Sequence, residues 1–304
     1  MEYIILFNGQ EEFKGAKIMF LGVWQGEGVK EREEISKEVY EEYSLHLEKV
    51  IQFEQEFNLY VTVSHNYEEL LETIDVIKEG YIKDARMNWA KMSAIMLTIN
   101  RRVLNYLTTF RTYLDHAERL LKHEFGKESE QVKIFKEVCS REYDDYFAYR
   151  FLYKLRNYAQ HCGMPVGNVN LSAKEIVNGV EHTLLVHLDR NQLLSAKDLW
   201  GKPVKEELQE MPLEIEITVY LKELQTCIER IQECFMKIRL KTIKGSAEYI
   251  LELFKPLLHI EGAPCIIDDS DLVGKDKGDI HLKWVPMHIV QLVYGMSQEY
   301  LKEE

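Results

Sequence analysis

Residues 82–125, IKDARMNWAKMSAIMLTINRRVLNYLTTFRTYLDHAERLLKHEF, contain neither glycine nor proline. Their apolar residues Trp89, Met92, Ile95, Met96, Ile99, Val103, Leu107, Phe110, Leu114, Ala117 and Leu121 recur at spacings of three and four, the period of a single helix face. The stretch therefore predicts one very long helix, or two joined by a bend, around which the rest of the chain must pack.

Downstream, the spacing predicts a helix over about 130–138. Ser140 is then placed to cap a new helix, with Glu142 and Asp144 near its positive end. That helix, REYDDYFAYRFLYKLRNYAQH (141–161), is dense in aromatic residues and stops at Cys162-Gly163 with Pro165 just beyond. Farther on, HTLLVHLD (182–189) has strand character, and DLWGKPVKEELQE (198–210) reads as a loop with a short helix. Helices are predicted over 214–243 and 246–258 and at PMHIVQLVYGMSQEYL (286–301). Short strands are predicted at APCIIDDSD (263–271) and DIHLKWV (279–285), around an acidic polar turn.

Upstream, YIILF (3–7) and AKIMFLGVW (16–24) are β-prone runs joined by a segment with Asn8-Gly9 and Gly15, a hairpin signature. A helix is predicted from Glu31 to about Glu56. LYVTVSH (59–65) then reads as a strand, and a helix capped by Asn66 runs to Gly80. The expected fold is mainly α (α+β): a helical bundle core at 82–168, an N-terminal α/β flanking region at 1–81, and a mixed α/β region at 169–304 packed on the core.

The 304 residues are 46% hydrophobic, enough for a large core. A formal net charge of −13 argues against a protein that coats nucleic acid through one extended basic face, since such affinity comes from Lys and Arg displacing counterions. A local cleft lined by a few cations stays compatible with that balance. The five scattered cysteines include no Cys-x-x-Cys pair, so neither a disulfide framework nor a structural zinc site is expected. The opening residues MEYIILFNGQEEF lack a basic region followed by a long apolar run, and no run of about 18 apolar residues occurs; a cytoplasmic protein with no secretory signal and no membrane partner is the expectation.

The chemistry concentrates at the end of the aromatic helix. Arg156-Asn157-Tyr158-Ala159-Gln160-His161 sets a guanidinium and an imidazole five residues apart, with a polar residue after the arginine. Arg150, Lys154 and Arg156 precede the histidine, and no acidic residue lies between Tyr146 and His161, which makes this a stretch of positive charge suited to phosphate. The same spacing occurs at Arg111 and His116. There Asp115 stands four residues from both Arg111 and Arg119, the geometry of ordinary helix-surface ion pairs.

The Arg-x-x-x-x-His spacing near the end of an aromatic helix, with Leu155 before the arginine, resembles the signature of the HEPN family (higher eukaryotes and prokaryotes nucleotide-binding). The resemblance covers residues 85–165. It implies a helical bundle, a homodimer or higher oligomer whose two motifs face one cleft, and a metal-independent endoribonuclease of the toxin or phage-defence type. It further implies RNA as substrate, 2′,3′-cyclic phosphate products, no cofactor and no metal, with a regulatory protein as a further partner.

In that reading Arg156, Asn157 and His161 are catalytic. A histidine can serve as base or acid, and that role falls to His161, Arg156 meets charge developing on the phosphate, and Asn157 holds the imidazole or touches the phosphate. Arg150, Lys154 and Tyr158 would bind the substrate. On an ideal helix five residues span roughly 140° of rotation, so Arg156 and His161 do not share a face while Asn157 and His161 do; a second copy of the helix can supply the missing convergence. The other reading of the same residues is a non-catalytic helical scaffold that binds a partner protein or a nucleotide.

Overall fold

The computed structural model describes residues 19–26, 28–84, 86–177, 179–196, 198–268 and 282–302. The strand expected at 3–7, its hairpin turn, and most of the acidic turn at 268–279 lie outside the described residues. Within them the protein is mainly α, with short antiparallel strands. It folds as two compact units: Met1–Gln55 with Met236–Glu304, and Glu56–Phe235. The helices α1 (Lys37–Lys83) and α7 (Thr218–Phe254) contribute residues to both. Residues 82–168, where the helical core was expected, lie entirely in the second unit.

The first unit contains a four-stranded antiparallel sheet in the order β2-β1-β6-β7, made of β1 (Met19–Trp24), β2 (Val29–Ile35), β6 (Ala263–Asp268) and β7 (Lys283–Trp284). The alternating residues Met19, Leu21 and Val23 of β1 are buried, as are Cys265, Ile266 and Ile267 of β6. Gly262 leads into β6 with a φ of 143°, where a Cβ would stand 2.5 Å from the carbonyl oxygen of Trp24; only glycine permits that approach. Tyr43 of α1 packs on Phe254 of α7 with ring centroids 6.1 Å apart, and α8 (Met287–Tyr300) closes the unit.

The second unit is a set of long helices with a three-stranded sheet. Asn88 caps α2 (Trp89–Phe125) by accepting from the Lys91 amide at 2.9 Å. Gly126, at a φ of 89°, ends that helix, and Ser129 caps α3 (Glu130–Asp145). The register of α2 against α7 is set by two buried hydrogen bonds one heptad apart. Tyr106 Oη donates to Gln225 Oε1 at 3.1 Å, and Tyr113 Oη to Gln232 Oε1 at 2.6 Å. Tyr67 and Tyr60 of α1 pack on the same two tyrosines from the other side, at 5.5 and 6.0 Å between centroids. Repeating one polar triad after seven residues gives α1, α2 and α7 a single register, because a slip would leave each buried hydroxyl unsatisfied. The sheet has the order β3-β4-β5, from β3 (Val166–Ile176), β4 (Gly179–Asp189) and β5 (Glu214–Glu216). Val166, Val169, Leu184, Val186 and Leu188 supply its buried face.

Three local expectations are corrected. Residues 59–65 are not a strand; they continue α1, a helix of 47 residues. Tyr60, Val63, Tyr67, Leu70 and Ile74 fall on one helical face, with Val63 and Leu70 fully buried. Thr62 Oγ1 donates back to the Asn58 carbonyl at 2.7 Å, so packing overrides the β preference of Val61-Thr62-Val63. The helix expected from Glu31 begins instead at Lys37, after the strand β2; Ser36 Oγ accepts from the Val39 amide at 3.4 Å and fixes that start. Finally, α3 passes straight through exposed Ser140 and breaks at Tyr146, whose backbone is extended. Phe135 and Glu142, seven residues apart, both face α7. The Phe135 ring lies 6.2 Å from that of Phe235, and Glu142 accepts from Arg230 at 2.9 and 2.6 Å; these contacts hold the helix across the site of the expected break.

Candidate functional site

The helix α4 (Phe147–His161) is fastened along three of its sides. Ala148, Phe151, Leu152, Leu155 and Tyr158 are buried. Trp200, fully buried, stacks on both Phe151 and Tyr158 with centroids 5.9 Å away in each case, and its indole N–H donates to the Leu193 carbonyl at 2.8 Å. On the α2 side, Phe110 meets Tyr149 and Tyr153 edge-on at 5.7 and 6.3 Å. Arg111 lies over Tyr153 at 4.5 Å while paired to Asp115 at 2.8 Å, the helix-surface ion pair that its spacing to Asp115 predicts.

The structure separates the six selected residues by role. Arg150 is 12% exposed and spends its guanidinium within the protein: Nε and Nη2 donate to Glu207, and Nη1 donates to the carbonyls of Tyr143 and Asp144 at 3.1 Å each. It seals the end of α3 and takes its counter-charge from α6 (Lys202–Glu210), which corrects the expectation that its charge is uncompensated. Tyr158 is 3% exposed; its ring belongs to the core and is not offered as a platform for a base. Lys154 is half-buried and has no ion-pair partner among the described residues.

Arg156, Asn157 and His161 remain. Arg156 and Asn157 are half-buried and His161 is exposed. Arg156 Nη1 donates to Asn157 Oδ1 at 3.4 Å and to Gln160 Oε1, while its Nε is buried with no hydrogen-bond partner among the described residues. His161, the last residue of α4, makes no side-chain hydrogen bond among the described residues, and no bond joins it to Arg156. Asn157 and His161, one helical turn apart, share a row with Lys154, whereas Arg156 and Gln160 share the next row, toward α2.

The exit from the helix is fixed as tightly as the helix. The amides of Cys162 and Gly163 both reach the Tyr158 carbonyl, at 2.8 and 3.4 Å. Asn100 of α2 then clasps Val166, accepting from its amide at 3.0 Å and donating to its carbonyl at 3.2 Å. Exposed Cys162 and half-exposed Met164 are thereby held beside His161 on a short segment anchored at both ends. Sequence reasoning missed Gln160 and Asn100. Gln160 could have been found, since it lies four residues after Arg156, a spacing at which side chains meet; Asn100 carries no local signal, because its partner is 66 residues away.

Chemically, the arrangement offers a fixed guanidinium with spare donors, an amide next to it, and an imidazole open to solvent. No described helix is long and apolar enough to cross a membrane. Comparison with family models, with curated proteins and with solved structures found no match.

Proposed function

We propose that this protein is a metal-independent endoribonuclease of HEPN type that cleaves RNA through attack of a ribose 2′-hydroxyl on the adjacent phosphorus. The observation that carries the reading is the placement, at the end of one firmly packed helix, of an exposed His161 and of an Arg156 whose Nη2 makes no hydrogen bond among the described residues. A packed helix holds reacting groups in place before substrate arrives, which is where much of such catalysis originates.

In this mechanism a phosphodiester lies at the tip of α4. Arg156 donates to the non-bridging oxygens and stabilises the charge that grows on them as the 2′-oxygen attacks. His161 removes the 2′-hydroxyl proton and, as the imidazolium so formed, supplies a proton to the leaving 5′-oxygen, giving a 2′,3′-cyclic phosphate and a 5′-hydroxyl. Because the two motif residues occupy different rows of their helix, two copies of the chain bring their α4 tips together over one RNA, each supplying what the other lacks. Lys154 extends the cationic row away from the scissile bond.

The competing reading, a non-catalytic helical scaffold, draws on Arg150 and Tyr158, which are both consumed by packing. Incubation of RNA with the purified protein in EDTA separates the two. The nuclease reading expects cleavage by wild type and its loss, by about a hundredfold or more, in a folded His161→Ala variant; equal cleavage by both proteins would contradict it.

A further inference from the structure

We infer that the tip of the hairpin formed by α1 and α2 is a docking surface for a second copy of this chain, centred on Tyr81, Trp89 and Met92. Tyr106 and Tyr113 of α2 each bond to the residue of α7 that lies 119 positions on, so Thr218, the first residue of α7, stands level with Ile99. Tyr67 and Tyr60 of α1 meet the same two tyrosines in the reverse direction. Carried on by one heptad and then another, that register sets Ile74 against Ile99 and Tyr81 against Met92. Gln225 and Gln232 of α7 complete the two tyrosine rungs, but the rung of Tyr81 and Met92 lies beyond the start of that helix. Burial follows this limit: Ile74 and Ile99 are 8% and 0% exposed, whereas Tyr81, Met92, Ile95 and Met96 are half-buried and Trp89 is 87% exposed. Residues 89–98, about 15 Å of helix, therefore continue the apolar stripe of α2 past the helix that covers it.

The chemistry of the tip selects its occupant. Lys78 pairs with Asp75, Lys83 with Glu79, and Arg86 and Lys91 both with Asp84. Cations held in this way leave little field with which to attract an anionic lipid surface or a nucleic-acid backbone, so the partner is a protein with an apolar face of its own. A second copy supplies that face: two-fold pairing sets the same patch on both partners, and two hairpins side by side complete a four-helix bundle. The choice of a copy rests on the reading of the α4 site as one completed by two chains. Asn100, next to Ile99 in sequence, clasps Val166, so the segment leaving α4 after His161 is held to α2 beside the exposed turns. Pairing there brings the partner's α4 tip to the same end of α2. Trp89 offers about 200 Å², a quarter of the about 800 Å² that a standard interface buries on each partner. The contact is therefore small, and the dimer should dissociate in the micromolar range.

The test is sedimentation velocity of the full chain without RNA, from the low-micromolar to the hundred-micromolar range, with a thermal melt of each variant. Wild type should pass from monomer to dimer across this range. Trp89→Asp should melt at the wild-type temperature, since that ring is exposed, yet weaken self-association about tenfold or more. Met92→Glu should act in the same direction, whereas Ile134→Asp, at an exposed apolar position of α3, should dimerise as wild type does. A wild type that stays monomeric to the top of the range, or a Trp89→Asp that dimerises as wild type does, would overturn the inference, as would loss of the dimer in Ile134→Asp. The readout does not depend on turnover. A protein whose dimer is lost in Trp89→Asp but which leaves RNA intact loses the nuclease reading and keeps this inference; cleavage by a protein that is monomeric throughout has the opposite outcome.

Discussion

The carboxylate of Glu142, 1% exposed, is gripped side-on by Arg230, whose Nε and Nη2 stand 2.9 and 2.6 Å from its two oxygens. The same guanidinium lies 4.4 Å over the ring of Tyr146, where α3 gives way to α4. This contact ties the hinge that orients the motif-bearing helix to α7. Removing Arg230 leaves a charge buried without its partner. Arg230 is about one-third exposed, so the cost is smaller than for a fully buried pair. Arg230→Ala should lower stability by about 2–3 kcal/mol in urea titration, and Glu142→Gln, which removes the buried charge itself, by less.

A second prediction concerns the helix register. Tyr113→Phe deletes the donor to Gln232 Oε1 inside the core and should cost about 1–2 kcal/mol, because a buried acceptor loses its partner. Replacing both groups, as Tyr113→Phe with Gln232→Leu, should recover most of that loss. A double variant as unstable as the sum of its parts would mean that the pair adds nothing beyond volume.

Trp200 should behave as the keystone of α4. It is fully buried between Phe151 and Tyr158, and Trp200→Ala should destabilise the protein by about 3–5 kcal/mol in thermal or urea unfolding. Trp200→Phe should cost less and leave the position of the motif largely intact.

Those contacts mark the limit of what could be read from the residues. The long apolar period of α2, the aromatic helix, its stop at Cys162-Gly163 and the ion pair of Arg111 with Asp115 were all legible, because each depends on neighbours within one or two helical turns. The packing roles of Arg150 and Tyr158 were not. Arg150 is neutralised by Glu207, 57 residues on, and Tyr158 is covered by Trp200 from a separate segment. At Val61-Thr62-Val63 the local preference pointed to a strand, and only the tyrosine ladder that joins α1 to α2 reverses it. Local pattern located the candidate motif, while nonlocal packing determined which side chains near it remain free.

The cysteines should report on access to the helix tip. Burial pushes the thiols of Cys139, Cys227 and Cys265 up to about 12, so near pH 8 they are almost wholly protonated and slow to react. Cys162 is exposed beside His161. A bulky thiol reagent should therefore show a fast phase that disappears in Cys162→Ser, and its adduct should block RNA cleavage. A fast phase that survives the substitution would place the reactive thiol elsewhere.

Shared sites make a further prediction about mixing. Arg156→Ala and His161→Ala should each be inactive alone. If each site takes its arginine from one copy and its histidine from the other, an equimolar co-refolded mixture should regain about a quarter of wild-type activity, since half the dimers are mixed and each of those holds one intact site. No recovery would place both residues of a site on the same chain.

The most direct measurement of the central claim is analysis of the RNA ends. Wild-type protein in EDTA is incubated with unmodified RNA and with the same sequence bearing 2′-O-methyl groups throughout, and the products are examined by mass spectrometry. The account predicts 2′,3′-cyclic phosphate and 5′-hydroxyl ends from the first RNA, no products from the second, and none from either with His161→Ala. Cleavage of the methylated RNA, or products ending in a 3′-hydroxyl and a 5′-phosphate, would contradict it.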